Sequence, residues 1–212
     1  ERAGTFAVGI EGMMLAGAFG GAVATMLLGS AGAGLVVSAA SGAALGLIVA
    51  IATAKFHADQ IVTGLAVNIL ALGLTSFLLR GLFGGTAPVI QLETLAILPI
   101  PYLADLPFIG VILFRQPALI YAAFSLALAI HFFLKTGSGL LLRATGENPD
   151  AAFAVGADPV RIRILTIVAG GAFAGLGGAV LSLQEVGTFT DGMTNGRGFI
   201  ALAAIIVGRW MP

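Results

Sequence analysis

The feature that most constrains this chain is a series of long apolar runs almost free of charge. Residues 10–28 hold one charged side chain, Glu11, and residues 32–54 hold none. Residues 61–83 hold only Arg80, near the end of the run, and 117–134 and 164–184 hold no Asp, Glu, Lys or Arg. A sixth apolar run opens at 199 and continues toward residue 212. About 20 apolar residues carry a helix across the hydrocarbon core. No water reaches backbone groups there, so each must be paired within its own segment, which selects the helix. Charged residues make up 9% of the chain, against about 25% in a soluble domain. The sequence therefore predicts an all-α, polytopic transmembrane helical bundle over residues 1–212, with about six spans surrounded by membrane lipid.

Residues 84–116 break this rhythm. They contain Pro88, Pro99, Pro101 and Pro107, with Glu93, Asp105 and Arg115, and read as a long extramembrane connection with room for one short helix. Basic residues orient a membrane protein, because loops rich in Lys and Arg stay on the cytoplasmic side. Lys135, Arg143, Arg161 and Arg163 form the densest basic cluster, which places the 135–163 connection inside. Alternation then puts 84–116 outside, 55–60 inside and 185–198 outside. Within the spans, glycines recur at spacing four, as Gly17/Gly21, Gly42/Gly46 and Gly171/Gly175. Small residues at that spacing let helix backbones approach closely.

The segment 143–163 is the most informative. Asn148-Pro149 is an N-cap followed by a proline at the first helical position, with Asp150 at the positive end of the helix dipole. Gly156 supplies a C-terminal stop, and Asp158-Pro159 repeats the start signal. The pattern predicts a short, separately capped helix over Pro149–Val155 within a coupling segment 136–162. A short rigid helix on the membrane face suits docking into a groove on a partner, with Phe153 as its exposed apolar knob; an amphipathic connector is the plainer alternative.

Several chemistries are excluded. With no cysteine, the chain has no disulfide, no thiolate nucleophile and no Cys-ligated metal, and His57 and His131 stand alone. We expect no metal, no cofactor and no catalytic residues. Net charge is zero, which gives no sign of nucleic-acid binding. Neither Lys55 nor Lys135 follows a glycine, so the phosphate-cradling Gly-rich loop with its Lys is absent. The chain opens on Glu1-Arg2 with no initiator Met and stops directly after an apolar run, so it reads as an internal piece of a longer protein.

Distinct stretches resemble a known family: Gly9-Ile-Glu-Gly-Met-Met-Leu-Ala-Gly-Ala18, Gln60-Ile-Val-Thr-Gly-Leu-Ala-Val-Asn68, Leu142-Arg-Ala-Thr-Gly-Glu-Asn-Pro149, Phe189-Thr-Asp-Gly-Met-Thr194 and Gly196-Arg-Gly-Phe-Ile-Ala-Leu-Ala-Ala204. The chain resembles the permease subunits of ATP-binding cassette importers for simple sugars and nucleosides, in a ribose-type, branched-chain amino acid-like permease family. It departs from that pattern at Ala7 and Met211, where the family favours Asn, and at His57-Ala-Asp-Gln60, where it favours Arg-Ala-Asn-Gln. The resemblance implies a multi-pass protein of a bacterial or archaeal cytoplasmic membrane. It also implies three protein partners: a cytoplasmic ATP-binding subunit, a second permease subunit and an extracytoplasmic solute-binding lipoprotein. The ATPase-coupling residues would be Gly146, Glu147, Asn148, Pro149, Ala152, Phe153 and Gly156.

Polar side chains in or beside spans are costly and so mark function. Glu11, Asn68, Thr75, Ser76, Gln184, Asp191 and Asn195 are the substrate-pathway candidates on that ground. Asn68 and Thr75, seven apart, share one helix face. The Gly-rich polar stretch 184–198 either lies exposed or dips into the membrane to line a cavity. An ion-coupled secondary transporter is the alternative, but only Glu11 and His131 could serve its coupling.

Overall fold

A computed structural model describes residues 2–84, 97–99 and 115–208. It has the expected all-α architecture, with one small β ribbon added. Helix α1 covers Ile10–Leu28; α2 covers Ala31–Ala50 and continues through a π-helical turn, Ile51–Lys55; α3 covers Gln60–Phe83. Strand β1 (Ile97–Pro99) pairs antiparallel with β2 (Arg115–Pro117), Leu98 opposite Gln116. Then come α4 (Ala118–Phe133), α5 (Gly137–Glu147), α6 (Pro149–Ala154), α7 (Pro159–Ala179) with a π-helical extension Val180–Glu185, and α8 (Arg197–Val207). The connection expected at 84–116 lies, apart from Gly84 and the ribbon, outside the described residues.

Four of these helices are long and apolar enough to cross a membrane, with 19, 25, 24 and 27 residues for α1, extended α2, α3 and extended α7. The two remaining apolar runs form shorter helices. The run at 117–134 forms the 16-residue α4, which bends by 79° into α5; taken together as one broken span, the pair is a fifth candidate crossing. Arg143 of α5 donates to the Leu134 carbonyl at 2.6 Å, one of the carbonyls that the end of α4 leaves without an intrahelical donor. The sixth run forms α8, with 11 residues, or about 16 Å of helix. That is about half the hydrocarbon thickness.

The core is a three-helix sandwich of α1, α2 and α7, and glycine sets its spacing. A methyl group on Gly17 would land on the backbone of Gly175; one on Gly42 would land on the Gly171 carbonyl and the Gly175 backbone. A methyl on Gly178 would land on the Met14 carbonyl. The spacing-four glycines thus face one another across helix pairs, as small residues must where backbones touch. Close approach also lets Ser38 of α2 donate to the Gly17 carbonyl of α1 at 2.6 Å, fully buried. Leu15, Phe19 and Ala22 of α1 pack with Ala179 and Leu183 beside this seam. The outer faces of α2 and α3 carry exposed Val36, Ile48, Ile69 and Phe77, as a lipid-facing surface would.

Two alanine substitutions of identical chemistry should separate. Gly175→Ala forces its methyl into the α2 backbone and should cost about 1–3 kcal/mol by overpacking. Gly73→Ala on α3 meets open space and should gain about 0.5–1 kcal/mol. Thermal unfolding of the purified protein in detergent checks both: a lower midpoint for the first, an equal or higher one for the second.

Candidate functional site

Helices α1 and α8 both begin inside the bundle rather than at its ends. Residues 2–9 run in along the start of α3: the Phe6 N–H donates to Gln60 Oε1 at 2.5 Å, and a methyl on Gly64 would press on Val8. Helix α1 starts at Ile10, and its Gly12 lies against Asn68, two turns into α3. Residues 186–196 run in from the opposite end. The Phe189 ring packs edge-on to Phe19 with centroids 5.2 Å apart. Asp191 Oδ1 accepts from Ser76 Oγ at 2.5 Å, and Gly196 reaches Glu11. From Phe19 to Glu11, and from Ser76 to Asn68, is eight residues of helix, or about 12 Å of depth. Of the two readings of 184–198, exposed or turned inward, the segment takes the inward path. After Glu185 the chain re-enters the bundle, which its glycines permit: Gly187, Gly192 and Gly196 hold φ of +67°, +64° and +85°.

A helix start has N–H groups with no intrahelical acceptor, and neither α1 nor α8 caps itself by side chain. Residues from elsewhere supply the caps. Asn68 Oδ1 accepts from Gly12 N–H at 2.8 Å, while its Nδ2 donates to the Val8 carbonyl at 3.0 Å. One amide thus closes the first turn of α1 from both sides, using both an acceptor and a donor. Glu11 does the same for α8. Its two carboxylate oxygens accept from Gly196 N–H at 2.8 Å and Gly198 N–H at 2.7 Å. A carboxylate at this position also meets the positive end of the helix dipole. Gly198 must be glycine for the approach, since a methyl there would sit 2.7 Å from Glu11 Oε2.

The two helix starts border a cleft of about 380 Å³ between α1, α3 and α8, which brings together Glu11, Asn68, Thr194 and Asn195 against Leu65, Ile69, Leu72 and Phe199. Such a volume suits a small ligand. Its polar groups keep spare capacity: a carboxylate offers about four lone-pair sites and an amide two donors, and only part of each is used by the caps. Three of the sequence-selected residues, Glu11, Asn68 and Asn195, meet here. Ser76 and Asp191 form a pair one step along the re-entrant segment. Thr75 shares the inward face of α3 with Asn68, as its spacing implies, but is buried and donates to its own helix at the Ala71 carbonyl, 2.8 Å. Gln184 stands apart in the π-helical turn, its buried Oε1 without a hydrogen-bond partner among the described residues.

The second set of selected residues lies where α5, α6 and α7 meet. Asn148 caps α6 by accepting from Ala151 N–H at 3.0 Å, and Asp158 caps α7 by accepting from Arg161 N–H at 3.1 Å. Gly156, with φ +88°, ends the short helix. Phe153 and Val155 are 71% and 75% exposed, and Glu147 is exposed beside them, whereas Ala152 turns inward and is 1% exposed. Gly146 is taken up internally: a methyl there would strike the Arg2 carbonyl. Pro149 opens α6 at its first position.

A second cavity escaped the sequence reading. It holds about 370 Å³ between the starts of α1 and α3, the end of α2, α7 and Ile205 of α8, and its wall includes Phe6, Thr53, Gln60, Thr166 and Phe173. The polar residues Thr53, Gln60 and Thr166 inside or beside apolar runs were the available signal. No group of three or more His, Asp or Glu side chains that could hold a metal ion occurs among the described residues.

The whole chain, residues 1–212, matches the family described as branched-chain amino acid transport system / permease component. It is 37% identical to a guanosine ABC transporter permease protein of Bacillus subtilis, over all of this chain and 69% of that one. It is 37% identical to a putative glucose ABC transporter permease protein of Haloferax volcanii, over all of this chain and 64% of the relative. A nucleoside ABC transporter permease protein of Lactococcus lactis is 36% identical, over all of this chain and 69% of its own. The chain thus spans about two thirds of the length of these curated relatives. No solved structure matches it.

Two outcomes follow from the borrowed caps. Asn68→Leu removes the partner of the Gly12 N–H and of the Val8 carbonyl just before α1 and should cost about 1–3 kcal/mol, read as a lower unfolding midpoint in detergent. In this cysteine-free chain, Ser76→Cys with Asp191→Cys should be bridged by a short bismaleimide. A gel or mass-spectrometric readout lacking that bridge would contradict the re-entrant path.

Proposed function

The chain belongs to the family of branched-chain amino acid transport system permease components, and we propose from that premise that it is the membrane-spanning subunit of an ABC importer. It carries nucleosides or simple sugars across the cytoplasmic membrane. The observation that carries the reading is α6, a six-residue helix with a side-chain cap at its own start and another on the helix that follows. It holds Phe153 out at 71% exposure. A flexible connector needs neither cap; a lever that passes force between two proteins needs both, because a rigid element transmits displacement and a loose one absorbs it. The names of the relatives supply the solute classes.

The end of the bundle bearing α5 and α6 also carries Lys135, Arg143, Arg161 and Arg163, which supports a cytoplasmic placement. There Phe153, Val155 and Glu147 are the contact points for a separate ATP-binding subunit. That subunit provides the hydrolysis for which this chain has no phosphate-binding loop, so the chain itself is no enzyme. A solute-binding lipoprotein docks at the opposite end, and a second permease subunit completes the pathway. Glu11, Asn68 and Asn195 line the part of the route this chain contributes. In an ion-coupled carrier, Glu11 would have to exchange protons or bind a cation during the cycle. Here each of its oxygens accepts one backbone N–H at the start of α8, so protonating the carboxylate during a cycle would weaken that cap.

Phe153→Ala should reduce co-purification of the ATP-binding subunit at least tenfold, a typical loss for an interface anchor. Membrane insertion and the unfolding midpoint of the permease should stay unchanged. Wild-type retention of the ATPase by the variant would remove α6 from the docking role. Uptake of radiolabelled guanosine or glucose by cells expressing the whole importer tests the transport reading itself.

A further inference from the structure

The 370 Å³ cavity beneath the start of α1 is separate from the cleft at Glu11. Residues Gly9, Ile10 and Met13 face the cavity, while Glu11, Gly12 and Leu15 face the cleft. The first turns of α1 therefore stand between two chambers, the cavity lying on the side of the α5–α6 end, next to Thr5, Phe6 and Gln60.

The cavity wall has a definite chemistry. Two phenyl rings, Phe6 and Phe173, contribute to it. Thr53 and Thr166 spend their hydroxyl protons on carbonyls of their own helices, Val49 at 2.8 Å and Ile162 at 2.6 Å. They therefore offer a ligand only acceptor lone pairs. Gln60 accepts from the Phe6 N–H through Oε1, and its amide carries two N–H donors that this bond does not use. Thr5 adds a hydroxyl, so the cavity offers flat apolar surface, donors from Gln60, acceptors from Thr53 and Thr166, and one hydroxyl able to do either.

That set discriminates between the two solute classes named for the relatives. A hexose is covered in hydroxyl groups, each of which loses water on entry and needs a protein partner. A buried group left unpaired weakens binding steeply. The wall's few polar groups cannot satisfy such a ligand. A nucleobase is planar and apolar on its faces, stacks on aromatic rings, and concentrates donors and acceptors on its edge. We propose that this cavity is a binding station for the base of a nucleoside, held against Phe6 and Phe173 and read by Gln60, Thr53 and Thr166, on the ATPase side of the Glu11 cleft. This rests on the transport reading above and narrows it from nucleosides or sugars to nucleosides.

The test uses the full-length permease assembled with its ATP-binding and solute-binding partners, with adenosine, guanosine and glucose as probes. For the wild type, nucleoside uptake with no glucose uptake is expected. In Thr53→Val and Phe173→Ala, the KM for nucleoside uptake should rise about tenfold each, the scale of one lost hydrogen bond or stacking contact. ATPase association should be retained. Photolabelling with 8-azidoadenosine should modify peptides containing Phe6 or Phe173. Thr53→Val keeps the shape of the side chain, so it guards against a folding defect, and Gln60→Leu adds a third readout. Nucleoside transport with unchanged KM in these variants, or photolabel confined to other peptides, overturns the station while leaving the transporter intact. Glucose transport without nucleoside transport overturns the nucleoside assignment but not the importer. Absence of uptake for every probe, in a complex that hydrolyses ATP, overturns the station and its solute class together.

Discussion

The structure turns on a shortage of hydrogen-bond partners at two helix starts buried within the bundle. At the end of a soluble helix, water satisfies the N–H groups left over. At the starts of α1 and α8, about 12 Å inside the bundle by helix rise, side chains from other elements do so instead. Asn68 closes the first turn of α1, and Glu11 closes that of α8. Because α3 caps α1 and α1 caps α8, the three elements are fixed relative to one another by a relay of caps. The non-helical stretches 2–9 and 186–196 depend on the same relay, since irregular backbone at membrane depth persists only where protein covers it or it borders a cavity. The cleft is a consequence: two helices that start side by side and diverge leave a space at their starts, lined by the groups that hold them.

The second organising feature is close contact between backbones. In lipid, apolar side chains gain little by leaving one hydrocarbon environment for another, so packing and buried hydrogen bonds bear more of the weight. The α1–α2–α7 seam follows that logic. Gly17, Gly42, Gly171 and Gly175 remove side-chain bulk between the axes, and Ser38 then reaches the Gly17 carbonyl. The seam helices also wall the chambers, which α3, α8 and the residues before α1 and α8 complete. Ser76–Asp191 ties α3 to the re-entrant segment, and Arg197–Glu185, at 2.7 Å, ties α8 to the extension of α7.

One departure from the family pattern finds a physical place. Where related sequences favour Asn before Gln60, this chain has Asp59, whose carboxylate caps α3 by accepting from Ile61 and Val62 N–H groups at 2.9 Å each. Asn and Asp serve equally as N-caps, so the change preserves the helix start. Much of the candidate site was legible because its parts are expensive in apolar surroundings: Glu11, Asn68, Asn195 and Asp191 stand out in the sequence. Their tasks were not legible, because a polar residue within a span looks the same whether it binds solute or caps a helix. The cavity at Gln60 was missed because threonine is common in membrane helices and draws no notice until two phenyl rings are seen beside it.

By itself the sequence determined the medium, the helical class, the bounds of α1 and α3 to within a residue, and the short helix after Asn148. Each of these rests on local chemistry: apolar length, capping side chains, and Pro or Gly at fixed offsets. Only the tertiary structure decided that the chain after Glu185 turns back into the bundle, that α8 begins beside α1, and that Glu11 belongs to the helix that follows Gly196 as much as to its own. Those outcomes depend on acceptors some 185 residues away from their donors, and no local pattern records a partner at that distance.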